Sequence, residues 1–381
     1  MKKTIATALC CLAVLAMQAI KTDQLKWLPL QDYPLHGTLV NRTAHAGNDG
    51  TTRHYSTVNG ADTVHYSRIP AAMKGAMRPE LYDLGTNTAG MYIRFTTDAS
   101  AIGAKWKATK RFNMNHMTAA GIRGLDLYVL TDSGTWTTVS SARPSFNHHH
   151  TTTMVITDME PRMRDYMLYL PLYDGVDSIS IGIDSAAVLQ LPRVDSPRSA
   201  KPVVYYGTSI AQGGCASRPG MVHTSILSRA LNREFINLGF SGNAKLDTDI
   251  AQLIAASDPS VIVLDPLPNL KTAELQERMD TFIDIIRRAH PTTPILLVES
   301  PVFPLMRFNQ ETLQTITEKN AALKKIFVDR HKAGDSNLYY FHGAHVLGDC
   351  HEGTVDNYHL TDLGFTVFAR NLLPTLRSLL P

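Results

Sequence analysis

Cysteine is scarce in this sequence. Four cysteines stand among 381 residues, and Cys10 and Cys11 lie in an apolar N-terminal stretch. Only Cys215 and Cys350 remain for the rest of the chain. Two cysteines in a chain of this size do not make a disulfide scaffold, so a fold held together mainly by disulfides is excluded. We expect two separate thiols, and a Cys215–Cys350 disulfide is the alternative.

The sequence also has a small net charge and few long hydrophobic runs. Lysine and arginine number 37 against 34 acidic residues, so the formal net charge is only +3. A balance so close to zero gives no argument for a nucleic-acid partner or for an acidic membrane surface. Beyond residue 19, no segment is long and apolar enough to span a bilayer.

The N-terminus has the pattern of a targeting segment. Lys2 and Lys3 precede an apolar run from Ile5 to about Ala19. A charged start followed by a short apolar run is typical of a signal peptide, here residues 1–19, and predicts a secreted or periplasmic protein. An N-terminal membrane anchor is the alternative, which the shortness of the run disfavours.

Residues 20–195 carry short β signals, and no helix is expected there. Apolar and polar residues alternate, as in "GMYIRFTTD", and turn residues separate the runs. We predict a hairpin around Asp132–Gly134 and two further strands joined at Asp174–Gly175. The whole segment is predicted to be an antiparallel β-sandwich domain. The segment Leu191–Pro202, which holds three prolines, has the composition of a domain boundary.

Residues 196–381 change to an alternation of short apolar runs and helical patterns. The runs "VVYYG", "EFINLGF", "VIVLDP", "PILLVES" and "LYYFHG" predict buried strands. Repeated β–α units predict a parallel sheet covered by helices on both faces. Functional sites of such sheets lie beyond the carboxyl ends of the strands, so the loops that directly follow each strand are the candidates.

Those loops carry the parts of a serine hydrolase. Ser209 follows the first strand, and Asp356 and His359 lie before the last helix, spaced to form a carboxylate–imidazole pair in a tight turn. Gly242 and Asn269, with the Ser209 N–H, are candidate donors for a developing oxyanion. We expect neither a metal nor a cofactor, because no His, Cys and acidic spacing in the last loop fits a standard metal site.

Each residue also has an ordinary structural interpretation. Ser209 could be a local cap, Gly242 a turn glycine, and Asn269 a turn or cap residue. His359 could be a surface residue. Their order along one predicted edge of one sheet favours the catalytic interpretation of the group.

The chain closely resembles the SGNH (GDSL-type) hydrolases, in the branch whose N-terminal β domain carries a "GxDLY" signature. The signature stands here as "GLDLY", from Gly124 to Tyr128, and the hydrolase half has "GTSI", "GFSG", "LPN" and "DNYH". The resemblance implies a flavodoxin-like three-layer hydrolase domain after the β-sandwich. It gives the residues singled out above the roles of nucleophile, oxyanion donors, acid and base.

Four positions depart from the family pattern without removing a catalytic group. Asn357 and Leu360 stand where the last family block commonly has Gly and Pro, Pro266 stands where Cys is frequent, and Cys350 stands where an acidic residue is frequent. Asn357 tolerates turn geometry, so we expect the loop to form. Leu360 lacks the restricted φ of proline, which predicts a less rigidly placed His359.

These patterns predict an exported serine esterase without a cofactor or a nucleic-acid partner. An O-acetylated carbohydrate is the first expected substrate, and a lipid or thioester acyl group is the second. The other function class is a glycan-binding protein with an inert hydrolase half. If Asp356 is not the acidic partner, Glu352 is the next candidate. The oligomeric state cannot be predicted.

Overall fold

A computed structural model of the chain describes residues 20–47, 50–57 and 66–381. The predicted signal peptide, residues 1–19, lies outside these described residues. The strands are β1 Lys26–Pro29, β2 Leu35–His36, β3 Thr43–Ala46, β4 Thr52–Tyr55, β5 Tyr92–Thr97, β6 Ile102–Ala108, β7 Leu125–Leu130, β8 Trp136–Ala142, β9 His150–Ile156, β10 Arg164–Tyr169, β11 Val176–Ile183, β12 Leu189–Gln190, β13 Arg198–Gly207, β14 Arg233–Gly239, β15 Val261–Asp265, β16 Ile295–Val298 and β17 Leu338–Phe341.

The helices are fewer in the N-terminal half than in the C-terminal half. They are α1 Pro79–Gly85, α2 Ala119–Arg123, α3 Ser209–Gln212, α4 His223–Leu231, α5 Thr248–Ala255, α6 Thr272–Ala289, α7 Gln310–Lys332, α8 Ala344–Leu347 and α9 Asp362–Leu379. Among the described residues, none of these helices combines the length and the hydropathy that crossing a bilayer requires.

The N-terminal half consists mainly of antiparallel sheets, as predicted. One sheet has the strand order β1-β11-β6-β9, and the other has β12-β5-β10-β7-β8, with β2 also paired to β5. Apolar side chains from both sheets, among them Phe95, Leu127 and Trp106, form one shared core. The predicted hairpin at Asp132–Gly134 is confirmed as the β7–β8 connection, in which Gly134 has a φ of +78°.

The two strands predicted to be joined at Asp174–Gly175 are confirmed as β10 and β11; they pair in different sheets, so their connection crosses the sandwich. The expectation that this half has no helix was wrong. Helices α1 and α2 were not predicted, because each is shorter than two turns and shows no apolar period. Pro79 at the start of α1 and the Thr118 side chain, which caps α2, are the local signals for them.

The C-terminal half is a three-layer α/β unit around a five-stranded parallel sheet. Its strand order is β14-β13-β15-β16-β17, which is the flavodoxin-like order predicted from the family resemblance. Val203 and Tyr205 of β13 face the side covered by α4 and α9. Val204 and Tyr206 face the side covered by α5, α6 and α7. Because helices cover both faces of the sheet, the side chains on each face of a strand are buried, and the strands are therefore apolar throughout.

Apolar residues of the N-terminal half complete the core on the α4 and α9 side of the parallel sheet. Ala89, Met117, Ile122, Leu172 and Tyr173 belong to the same buried cluster as the α4 and α9 side chains. The two halves therefore share a core and are not joined only through a linker.

Candidate active site

Ser209 lies where the first parallel strand turns into a short helix. It is the first residue of α3, it is 4% exposed, and the preceding Thr208 accepts a hydrogen bond from the Ile210 N–H at 3.3 Å. A Cβ added to Gly207 would lie 2.7 Å from the Ala211 Cβ. A side chain at position 207 would clash with Ala211, so glycine at 207 allows alanine at 211, two residues after Ser209.

The turn that holds Ser209, the predicted nucleophile, is supported from the N-terminal half. The Tyr173 hydroxyl donates to the Ser209 carbonyl oxygen at 3.1 Å, and the Gln212 side-chain amide donates to the Leu172 carbonyl oxygen at 3.2 Å. Both contacts cross from the β-sheet half to α3. They fix the position of the serine without occupying its hydroxyl.

The predicted base and acid lie in line with the serine hydroxyl. The distance from Ser209 Oγ to His359 Nε2 is 3.0 Å, and the distance from His359 Nδ1 to Asp356 Oδ2 is 2.7 Å. A hydroxyl, an imidazole and a carboxylate in this order can transfer the serine proton to the imidazole and stabilise the resulting imidazolium.

The "DNYH" turn orients this pair. Asp356 Oδ1 accepts hydrogen bonds from the backbone N–H groups of Tyr358 at 3.0 Å and His359 at 2.7 Å. Asp356 Oδ2 accepts a hydrogen bond from Nδ1 of the His359 imidazole. Asn357 has a φ of +67°, the left-handed conformation that asparagine tolerates. Burial alone would raise the pKa of Asp356, but the His359 hydrogen bonds lower that pKa below its usual value, so the carboxylate stays ionised.

Leu360 is held by packing and by one backbone contact. It is fully buried, and its carbonyl oxygen accepts the Cys215 N–H at 3.0 Å. Tyr358 on the other side of His359 donates its hydroxyl to the Pro268 carbonyl oxygen at 3.1 Å. These contacts restrain His359 from both sides in the absence of the family's proline.

The predicted oxyanion donors lie on loops that are hydrogen-bonded to one another. Gly242 has a φ of +68°, and a Cβ built on it would meet no atom within 4 Å. Asn269 Oδ1 accepts the Ala244 N–H at 3.2 Å, which leaves its Nδ2 group as the donor. The Ser241 N–H donates to Gln212 Oε1 at 2.9 Å, which joins the Gly242 loop to α3. Their role as oxyanion donors stays a prediction.

The other acidic candidates have different surroundings. The Asp362 carboxylate accepts the Ser217 N–H at 2.8 Å and is thereby engaged at the start of α9. Glu352 is exposed. Of these carboxylates, Asp356 is the one hydrogen-bonded to His359.

Sequence reasoning missed His116. This residue lies in the N-terminal half, with its Nε2 atom 4.0 Å from Asp356 Oδ2 and its ring 5.5 Å from the His359 ring in an edge-to-face arrangement. No local pattern identifies it, because its neighbours in space are about 240 positions away in sequence.

One group of potential metal ligands involves the same residues. His116, Cys215 and His359 each bring a ligand atom within 4.8 Å of the others. Burial, followed by the nearby Asp356 charge, raises the pKa of the Cys215 thiol to about 12. In the metal-free protein the Cys215 side chain is therefore a thiol at neutral pH. Both Cys215 and Cys350 are free thiols, and the alternative disulfide is not formed.

The "GLDLY" stretch forms one of the contacts between the halves. The Asp126 carboxylate is fully buried, lies 2.6 Å from Arg218 Nη1, and accepts the Gly220 N–H at 2.9 Å. The Tyr128 hydroxyl accepts from the same guanidinium nitrogen at 2.6 Å. Arg218 and Gly220 lie between Ser209 and α4, so this contact positions the chain that follows the nucleophile.

Comparison with known proteins agrees with this geometry. Residues 200–377 match the GDSL-like lipase/acylhydrolase family, and residues 52–189 match the GxDLY family, described as the N-terminus of SGNH-hydrolase-type esterases. A protein from Bacteroides ovatus described as a GDSL-like lipase is 31% identical, with a TM-score of 0.83 over 93% of this chain and 98% of that one. This chain belongs to the GDSL-like lipase/acylhydrolase family.

More distant structures share the fold of this GDSL-like protein. A salicylyl-acyltransferase from a tetracycline biosynthetic pathway is 19% identical, with a TM-score of 0.70 over 93% of this chain and 98% of that one. A family two carbohydrate esterase from Cellvibrio japonicus is 13% identical, with a TM-score of 0.53 and the same coverage. No curated protein matches the chain. The family supports an ester-hydrolysing enzyme.

Proposed function

We propose that the protein is an exported serine esterase that removes acyl groups, first of all acetyl groups, from carbohydrates. The single observation that carries the serine mechanism is the continuous contact from Ser209 Oγ through His359 to Asp356, at 3.0 Å and 2.7 Å. The carbohydrate part rests on the fold shared with the Cellvibrio carbohydrate esterase. Export rests on the sequence of residues 1–19.

The reaction follows the order of these contacts. His359 Nε2 takes the Ser209 hydroxyl proton as Oγ bonds to the ester carbonyl carbon, and the carbonyl oxygen becomes an oxyanion. The backbone N–H groups of Ser209 and Gly242 and the Asn269 amide stabilise that charge. The C–O bond to the alcohol then breaks, and the alcohol leaves with the proton from His359. Water, deprotonated by His359, releases the acid from the acyl-serine.

Hydrolysis of p-nitrophenyl acetate by the purified protein tests the serine mechanism. We expect turnover by the unaltered protein and its loss, by roughly 10³-fold or more in kcat, in Ser209→Ala. Ser336→Ala is the matched control, because Ser336 is exposed and precedes β17 at the opposite edge of the sheet. Equal turnover by Ser209→Ala and the unaltered protein would refute the serine mechanism.

The substrate and the location have separate tests. Acetate release from a panel of acetylated glycans, compared with p-nitrophenyl esters of longer acyl chains, distinguishes a carbohydrate acetylesterase from a lipid or thioester acyl hydrolase. Glycan binding without any ester turnover would instead support the inert binding protein. Cell fractionation tests export, which predicts the protein in the periplasm or the medium.

A further inference from the structure

A pocket of about 540 Å³ lies where the two halves of the protein meet. One wall comes from α1 and the residues that follow it, and a second comes from residues 110–114, both in the N-terminal half. The third wall includes Ser241 and Asn243 of the C-terminal half. This volume falls within the roughly 300–1,000 Å³ of small-molecule sites.

The pocket adjoins the candidate active site. Ser241, one of its lining residues, directly precedes Gly242, a predicted oxyanion donor. Tyr173, another lining residue, donates its hydroxyl to the Ser209 carbonyl oxygen at 3.1 Å. The pocket therefore borders residues that position Ser209 and Gly242, although Ser209 itself is not among its lining residues.

One side of the pocket is apolar and open. Leu84, Phe112 and Met114 line it, and Phe112 remains 44% exposed although it is a large hydrophobic residue. An exposed aromatic ring on a pocket wall provides a flat surface for the apolar face of a ligand ring.

The polar groups of the pocket suit a neutral ligand with hydroxyl groups. Asn87 is 3% exposed, and its Oδ1 atom has no hydrogen-bond partner among the described residues. A buried amide oxygen without a partner costs free energy that a ligand hydroxyl can recover. Glu80 also lines the pocket, together with Asp83 and Lys110, which form an ion pair at 2.6 Å. Lys110 balances the charge of Asp83, and Glu80 leaves the pocket with a net negative charge, which disfavours anionic ligands.

We infer that this pocket binds the alcohol part of the substrate, a neutral pyranose ring that stacks on Phe112 and hydrogen-bonds to Asn87. The inference rests on the proposed esterase function and adds the site of sugar recognition. An acetyl group is too small to need a pocket of this size, so the pocket suits the larger leaving part. The N-terminal half then supplies the sugar recognition for chemistry performed by the C-terminal half.

The test compares two esters on matched variants. The substrates are ethyl acetate, whose small alcohol part does not fill the pocket, and a mono-O-acetylated methyl pyranoside. The variants are Phe112→Ala and Asn87→Ala, and the control is Phe146→Ala, because Phe146 is exposed but does not line the pocket. Inhibition by the deacetylated methyl pyranoside provides a readout of binding without turnover.

For Phe112→Ala, we expect kcat/KM on the acetylated pyranoside to fall about tenfold, mostly through KM. Its ethyl acetate turnover should stay unchanged, and the inhibition constant of the methyl pyranoside should rise by a similar factor. Asn87→Ala should act in the same direction, and Phe146→Ala should have no effect.

Three results would overturn the inference while the proposed serine esterase mechanism stands. The first is an enzyme that turns over p-nitrophenyl acetate but no acetylated pyranoside. The second is an equal loss on both esters. The third is a loss confined to p-nitrophenyl esters of bulky acyl groups, which would assign the pocket to the acyl part. No serine-dependent turnover of p-nitrophenyl acetate would instead refute the proposed function itself.

Discussion

The two halves of the molecule contribute differently to the candidate site. Ser209, Asp356 and His359 all come from loops at one edge of the C-terminal parallel sheet. The N-terminal half contributes the support of the nucleophile turn, through Tyr173, and a neighbour of the triad, His116. The parallel sheet alone brings together the three predicted catalytic side chains. Tyr173 and His116 reach the site only because the two halves pack against each other.

The largest expected effect is on the chemistry of the C-terminal half. We expect His359→Ala to lower kcat on p-nitrophenyl acetate roughly 10³–10⁴-fold, because the serine loses its base. Thermal unfolding of the variant should match that of the unaltered protein. His345→Ala, an exposed histidine that follows β17, is the control. A comparable loss in the control would show that the triad assignment is wrong.

The next effect concerns the contact between the halves. Asp126→Ala removes a fully buried carboxylate whose partner Arg218 is 24% exposed, and it also leaves the Gly220 N–H without its acceptor. We expect a loss of about 2–4 kcal/mol in the free energy of unfolding, measured by urea denaturation. Asp132→Ala, at an exposed ion pair with Arg162, should cost less than about 1 kcal/mol. Similar stabilities of the two variants would mean that the halves are only loosely coupled.

We expect His223, in the C-terminal half, to make the stability of the folded protein sensitive to acid. Burial lowers the pKa of His223 to about 3, and its ring stacks on Phe365 and Phe368 of α9. The folded state keeps this histidine neutral, whereas the unfolded state binds a proton below about pH 6.5. Stability from this group is therefore complete above pH 6.5 and is lost as the pH falls towards 3.

We expect the free energy of unfolding to fall by about 3 kcal/mol between pH 7 and pH 4 through His223 alone. His223→Leu should flatten that dependence, whatever its effect on stability at pH 7. Denaturant unfolding at a series of pH values measures both curves. The same slope in the variant would place the acid-sensitive group elsewhere.

The smallest expected effect belongs to His116, which contacts the triad without touching the serine. We expect His116→Ala to lower kcat about two- to fivefold at unchanged KM, because Asp356 loses a polar neighbour at 4.0 Å. His148→Ala, an exposed histidine in the same half, should have no effect. A change in KM alone would assign His116 to substrate binding.

The sequence predicted the parts of the molecule that follow from local pattern. The five apolar runs of the C-terminal half form one parallel sheet, and the topology rule placed the loops of Ser209 and His359 at the same edge. The "DNYH" spacing was readable because the turn brings carboxylate and imidazole together within four residues.

What the sequence did not predict depends on contacts between distant segments. The sequence predicts both β10 and β11 as strands. Only the packed sandwich shows that the two strands lie in different sheets. His116 and Phe112 lie in a segment without any period, and their positions follow from how the halves pack. The role of Asp126 likewise requires Arg218, which is 92 positions away.

The central claim is that the hydrolytic chemistry resides at Ser209, and an active-site label tests it most directly. A fluorophosphonate ester reacts with a serine activated by a neighbouring base, forming an O–P bond and releasing fluoride. Mass spectrometry of the intact protein and its peptides should find one adduct per chain, on the peptide that contains Ser209, and none in Ser209→Ala. Equal labelling of Ser209→Ala, or an adduct on another residue, would contradict the account.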